Sequence, residues 1–200
     1  MSHKFDPRHA GRLDDPERRR FLDPARISTL LELRPGEVVA DVGCGTAYFT
    51  LELARAVGPE GKVYALDISE ELLARAGEKV AAAGMDNVAL VLSREVQIPL
   101  PGAQVDAALL ANVLHEVGEK EAFLAEVGRV IRPAGRLLVV EWKKIATPKG
   151  PLVDHRLEPG EVIALAGGAG FSGATLVEIG PYHYGVGFTA GKASSGSPVE

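Results

Sequence analysis

The chain has 200 residues, 46% of them apolar, which suits one domain with a sizeable core. Charged residues make up 24% and the formal net charge is -5, so the basic footprint of a protein that grips nucleic-acid backbone is missing and no nucleic-acid partner is expected. The one cysteine, Cys44, excludes a disulfide framework and a cysteine-built zinc site, and no metal is expected, because the histidines show no ligand spacing with one another.

Residues 1–20 are rich in Lys, Arg, Asp and His and contain no apolar core of a secretion signal. No later stretch approaches the ~18 apolar residues of a membrane span, so a cytoplasmic protein with no membrane partner is expected. Residues 1–22 read as a polar lead-in, followed by a domain over 23–192 and a small, polar tail over 193–200 that is expected to be disordered.

Asp23-Pro24 supplies an N-cap and a first helical proline for a helix with apolar residues at Ile27, Leu30, Leu31 and Leu33. After the turn Arg34-Pro35-Gly36 the pattern changes to a short apolar run over 37–41, a buried parallel strand. A glycine-rich turn leads from it into a helix over 46–57 that closes at Gly58-Pro59. The alternation continues with a strand over 62–66, a helix over 69–83, strands over 88–92 and 105–110, a helix over 120–131 and a strand over 137–141. Strands alternating with helices imply right-handed crossovers and a parallel sheet with ligands at the carboxyl ends of its strands. A helix over 158–166 follows, and segments 174–179 and 184–189 read as a closing antiparallel hairpin across Gly180-Pro181. The expected fold is α/β, a Rossmann-like, doubly wound, mostly parallel seven-stranded sheet.

The turn Asp41-Val42-Gly43-Cys44-Gly45-Thr46-Ala47 carries the strongest chemical signal. Gly43 and Gly45 let backbone approach a ligand closely. A dinucleotide fingerprint would need a third glycine where Tyr48 stands. Asp41, at the end of the strand, would repel a pyrophosphate and welcome an ammonium.

The motif Asp-x-Gly-x-Gly-x-Ala resembles the first motif of class I S-adenosylmethionine-dependent methyltransferases, with Ala47 in place of the usual third glycine. The resemblance is to the small type similar to the ubiquinone/menaquinone-biosynthesis group, and it runs from Phe21 to about Thr189. It implies S-adenosylmethionine as cofactor, S-adenosylhomocysteine as product and a small-molecule acceptor, with Cys44 in backbone contact with the cofactor. Asp67, with Ile68 beside it, ends the next strand at the distance where an acid meets ribose hydroxyls; a nicotinamide enzyme or a helix N-cap would show the same acid. The family places an acid near the adenine before a stretch matched here by Ile98-Pro99-Leu100-Pro101; the spacing puts Arg94 where the commoner pattern has Asp, so the role is assigned to Glu95 beside it, with an exposed, solvated pair as the alternative. Asn112, in Ala111-Asn112-Val113-Leu114-His115-Glu116, falls near the methionine part of the cofactor, and Arg132-Pro133-Ala134-Gly135-Arg136 matches the turn into the fifth strand. The lead-in is expected to fold over the cofactor as a lid.

Methyl transfer needs alignment and exclusion of water more than dedicated catalysts. A hydroxyl or acidic-carbon acceptor requires a base, for which His115 or a tyrosine of the hairpin qualifies; His115 would equally cap a helix or pack on the cofactor. A sulfur or arsenic acceptor requires none. Trp142 and Tyr182-His183-Tyr184 either pack the core or line the acceptor side. A nicotinamide oxidoreductase and a cofactor-binding module without turnover are the competing readings.

Overall fold

A computed structural model describes residues 4–191. The expected tail over 193–200 lies outside them. Seven strands form one sheet: β1 (Val38–Val42), β2 (Lys62–Asp67), β3 (Val88–Leu92), β4 (Val105–Ala111), β5 (Ile131–Trp142), β6 (Phe171–Glu178) and β7 (His183–Ala190). Their order is β3-β2-β1-β4-β5-β7-β6. The first five run parallel, and β7 is inserted antiparallel between β5 and β6.

Among the described residues five α-helices cover the sheet: α1 (Pro24–Leu30), α2 (Thr50–Val57), α3 (Glu70–Ala82), α4 (Lys120–Val130) and α5 (Pro159–Gly168). Period-two alternation divides β1 between two cores. Val39 packs with Leu53, Ala54 and Val57 of α2 and Ile27 of α1. Ala40 and Val42 pack with Phe123 and Leu124 of α4 and Val162 and Ala166 of α5. Local chemistry sets the helix ends. The Asp23 side chain accepts from the Ala25 amide in front of Pro24, the Ser69 side chain accepts from the Leu72 amide, and Glu158 and Glu161 form a capping box.

Two elements depart from their expected bounds for identifiable reasons. The helix expected from residue 46 starts at Thr50, because Ala47 adopts φ 65 and interrupts the right-handed backbone. The fifth strand begins at Ile131 instead of 137, because the Pro-Gly turn stays attached to β4 as a bulge: Val105 pairs with Ile131 and Ala107 with Arg136. A Cβ on Gly135 would stand 2.8 Å from the Asp106 carbonyl, so the bulge admits only glycine there.

The lead-in forms two 3-10 turns, Pro7–Arg12 and Pro16–Arg20. It lies on the glycine-rich turn, with Leu13 Cδ1 3.0 Å from where a Cβ on Gly45 would sit. The Thr46 hydroxyl donates to Asp14 at 2.6 Å, and Lys79 of α3 pairs with the same carboxylate.

Candidate active site

Crossovers leave β1 toward β2 and β4 toward β5, so the two adjacent strands β1 and β4 mark a topological switch point. At their carboxyl ends opens a cavity of about 950 Å³. Its walls include Gly43, Cys44, Gly45, Asp67, Ile68, Glu95, Asn112 and His115, which gathers the expected site residues with the exception of Asp41.

The glycine-rich turn is fastened to the end of β2. The amides of Gly43 and Cys44 both donate to the Leu66 carbonyl, at 2.8 and 2.9 Å. Gly45 donates to Asp67 Oδ2 at 2.9 Å, and Ser69 donates to Asp67 Oδ1 at 2.9 Å. Asp67 therefore ties the turn to the start of α3, and a carboxylate with about four acceptor sites keeps others for a ligand. Burial raises its pKa against the opposing amides of Ser69 and Gly45. Burial also raises the Cys44 thiol well above its usual range, which suits a packed side chain and not a nucleophile.

Asp41 departs from the sequence reading, which aimed its carboxylate into the turn. It shares the face of Val39, is 1% exposed, and its Oδ2 accepts from the Thr50 hydroxyl of α2 at 2.6 Å. It sits behind the cavity wall. Burial pushes its pKa up to about 6; Thr50 opposes the rise, the Asp67 charge adds to it, and Arg18 opposes it.

Asn112 stands at φ 61, a left-handed position that asparagine tolerates better than most residues. Its Oδ1 is buried without a hydrogen-bond partner among the described residues, and its residue lines the cavity. An orphaned acceptor beside two glycines and a ribose-suited acid fits a ligand with both hydroxyls and an ammonium, which is the donor set of S-adenosylmethionine.

His115 is organised by a residue the sequence reading passed over. Its Nδ1 lies 2.7 Å from Glu141 Oε2, and its amide donates to Glu141 Oε1 at 3.1 Å. Glu141 is the last residue but one of β5 and is 0% exposed. Burial opposes the charged imidazole, but the charge and hydrogen bond of Glu141, with help from Glu116, outweigh it and raise the pKa. With Glu141 Oε2 accepting, Nδ1 carries the proton of the neutral ring and Nε2 is its acceptor, 3.7 Å from Glu116 Oε1. An acid terminating a buried strand, the signal that marked Asp41 and Asp67, was present in Val140-Glu141-Trp142 as well.

Glu95 lines the cavity, pairs with Lys4 at 2.7 Å and accepts from the Gly118 amide at 2.7 Å. Arg94 beside it is exposed and bridges Gln97 through backbone. Of the aromatic candidates, Trp142 lines the cavity. Tyr184 is buried with its hydroxyl on the Leu157 carbonyl, and His183 is buried between Phe21 and Trp142.

Residues 33–157 match the family model described as a methyltransferase domain. A SAM-dependent methyltransferase structure from Aquifex aeolicus superposes with a TM-score of 0.90 at 38% identity, covering 94% of this chain and 100% of that one. The demethylmenaquinone methyltransferase of Geobacillus stearothermophilus is 40% identical over 111 residues, 56% of this chain and 47% of the relative. The ubiquinone/menaquinone biosynthesis C-methyltransferase UbiE of Burkholderia cenocepacia is 35% identical over 116 residues, 58% of this chain and 47% of the relative. The chain thus spans about half the length of the curated relatives it matches. With the glycine-rich turn, the strand-end acids and a fold match over nearly its whole described length, the chain belongs to the methyltransferase-domain family.

Proposed function

We propose that the chain methylates a small, flat, largely apolar acceptor whose reacting atom bears an acidic proton. The observation that carries this reading is the buried His115–Glu141 pair on the cavity wall, 2.7 Å apart. When bound, S-adenosylmethionine supplies a methyl group already activated on a sulfonium. Gly43, Gly45, Asp67 and Asn112 hold the cofactor, with Cys44 and Ile68 along it, Glu95 at the adenine and Asp41 charge-matched to the ammonium from behind the turn. His115 accepts the acceptor's proton at Nε2, and Glu141 fixes the tautomer and stabilises the imidazolium that forms. Phe21, Phe49 and Trp142 supply aromatic walls on the same cavity. The names of the quinone-biosynthesis relatives support a ring-bearing acceptor of this kind. The lead-in acts as a lid that excludes water, supported by its contacts with Gly45 and Thr46. A cytoplasmic location is supported by a lone, buried cysteine. Among the described residues no helix is long and apolar enough to cross a membrane.

The test is incubation with labelled S-adenosylmethionine and a metabolite extract, followed by isolation of the labelled product. Transfer to a compound with an ionisable hydroxyl or carbon acid is expected; binding without any transfer would favour a module that has lost turnover. With that acceptor in hand, kcat/KM should rise with pH through the raised pKa of His115. Glu141→Gln removes the charge that raises it, so the acid limb should move to lower pH while the plateau falls by roughly 10–100-fold. An acid limb that does not move in Glu141→Gln would take His115 out of proton transfer.

A further inference from the structure

The start of the lead-in closes on the turn that carries His115. Lys4 pairs with Glu95 at 2.7 Å, and Glu95 accepts in turn from the Gly118 amide at 2.7 Å. One residue on, the Phe5 amide donates to Glu116 Oε2 at 2.8 Å. The other oxygen of that carboxylate, Oε1, stands 3.7 Å from His115 Nε2, outside the ~3.2 Å reach of a good hydrogen bond. Among the described residues Phe5 is the only hydrogen-bond donor to the Glu116 carboxylate, and His115 is its only ion-pair partner.

Phe5 and His115 therefore compete for one carboxylate. The Glu116 amide is fixed on the Val113 carbonyl at 2.9 Å, so the main chain of the turn holds and the side chain is the part that can move. That side chain is 26% exposed and the imidazole 5%, and a carboxylate deprived of its only donor in such surroundings keeps a costly unmet acceptor. A proton on His115 Nε2 is the next one within reach. Whichever atom carries it, a proton shared between Oε1 and Nε2 occupies the lone pair that a general base needs. Glu141 of β5 holds the opposite nitrogen in either case. Of the other charges facing the pair, Asp67 of β2 disfavours the Glu116 carboxylate and Lys120 of α4 disfavours the imidazolium, while burial keeps His183 of β7 neutral. Lys144, Asp154, His155, Arg156 and Glu161 line a small second pocket that His115 also borders.

We propose that Glu116 is a positioning residue that withholds the base until the lead-in is shut: the Phe5 amide draws the carboxylate off Nε2, and when the lead-in lifts, the carboxylate bonds Nε2 and blocks it. The inference rests on the reading of His115 as the base and adds when that base becomes available. The exchange moves a hydrogen bond and no covalent bond. Its consequence is that proton abstraction is confined to the state in which the lead-in excludes water.

The test uses two substitutions of one residue in the full chain. Phe5→Pro removes the ring and the N–H, whereas Phe5→Ala removes the ring and keeps the N–H. Titration of the His115 imidazole by nitrogen-15 NMR needs no acceptor. In Phe5→Pro the His115 pKa should rise by about one pH unit over the parent, and the acid limb of kcat/KM, for the acceptor isolated by labelling, should move up with it, a roughly tenfold loss of rate on the limb. Phe5→Ala should titrate as the parent does. In Glu116→Gln, His115 should titrate below the parent, and adding Phe5→Pro should change nothing further. An unmoved His115 titration in Phe5→Pro would overturn the proposal, as would an equal rise in Phe5→Ala or in the Glu116→Gln background. A titration that moves while the acid limb stays in place would sink the base reading and the gating with it; an unmoved titration sinks the gating alone. If circular dichroism shows Phe5→Pro misfolded, deletion of residues 1–5 removes the same amide and decides by the same comparison with and without Glu116→Gln.

Discussion

Asp41 illustrates how a buried charge weighs on the fold that carries it. Its carboxyl is 1% exposed, and burial pushes its pKa from 3.8 to about 6. A carboxyl whose pKa is raised on folding contributes stability that is present below the unfolded pKa and is lost as pH rises through the folded one. The protein should therefore lose stability between about pH 4 and pH 6.5 on account of this group. Asp41→Asn keeps a polar partner for the Thr50 hydroxyl and removes the charge. In the absence of ligand it should exceed the parent in stability at pH 8 by up to about 3 kcal/mol and match it at pH 4, as measured by urea denaturation at the two pH values. The same variant should lose roughly 1–2 kcal/mol of S-adenosylhomocysteine affinity through the longer-range charge alone, since the carboxylate is turned away from the cavity. A gain in stability with a loss of binding is the trade-off expected where a site is built against its own solvation. Equal pH dependence in the two proteins would show that Asp41 does not titrate in this range.

At the scale of the element, the turn between β1 and α2 works through backbone conformation. Gly43 has φ 77, and a Cβ there would fall inside the van der Waals envelope of Val113, the residue after Asn112. The turn and the end of β4 are packed so closely that Gly43→Ala must either shift Val113 or open the turn. Gly43→Ala should cost at least about 2 kcal/mol of stability in chemical denaturation, from left-handed strain and overpacking together. It should weaken cofactor binding as well, since Asn112 moves with Val113. A fully stable Gly43→Ala would mean that the two segments are less tightly held than the structure shows. Ala47, at φ 65 and 0% exposed, already carries the strain that the family's usual glycine avoids; its methyl packs against Ala76 and Val80 of α3.

At the scale of the molecule, the cavity is a meeting place of strand ends, turns and lead-in, and a ligand bound there touches elements far apart in the chain. Phe5 donates to Glu116 at 2.8 Å, Lys149 pairs with Asp15 at 2.5 Å and Lys4 with Glu95 at 2.7 Å, so the lead-in is stitched to both sides of the opening. Exposed ion pairs of this kind contribute little each and are weakened by salt. Saturating S-adenosylhomocysteine should raise the melting temperature, by an amount that grows with the logarithm of ligand concentration and corresponds to about 2.7 kcal/mol at a hundredfold excess over Kd. NAD should leave it unchanged, and a shift with NAD alone would contradict the assignment of the cofactor.

The succession of strands and helices was legible because apolar periodicity reports which face of an element is buried, and the parallel sheet follows from the alternation itself. The glycine-rich turn, Asp67 and Asn112 were legible because strand ends in such a sheet converge on one crevice. Partnerships were not. Glu141 and His115 are 26 residues apart and meet because β4 and β5 are neighbours in register. Arg18 reaches Tyr48 only because the lead-in folds back over the glycine-rich turn. Period-two alternation alone turned the Asp41 carboxylate toward Thr50 and away from the cavity, a direction set by which residue of β1 faces α2. Sequence pattern fixes burial and order along the chain, whereas the partner of a buried charge, and with it the pKa that decides its chemistry, is chosen by which elements become neighbours in three dimensions.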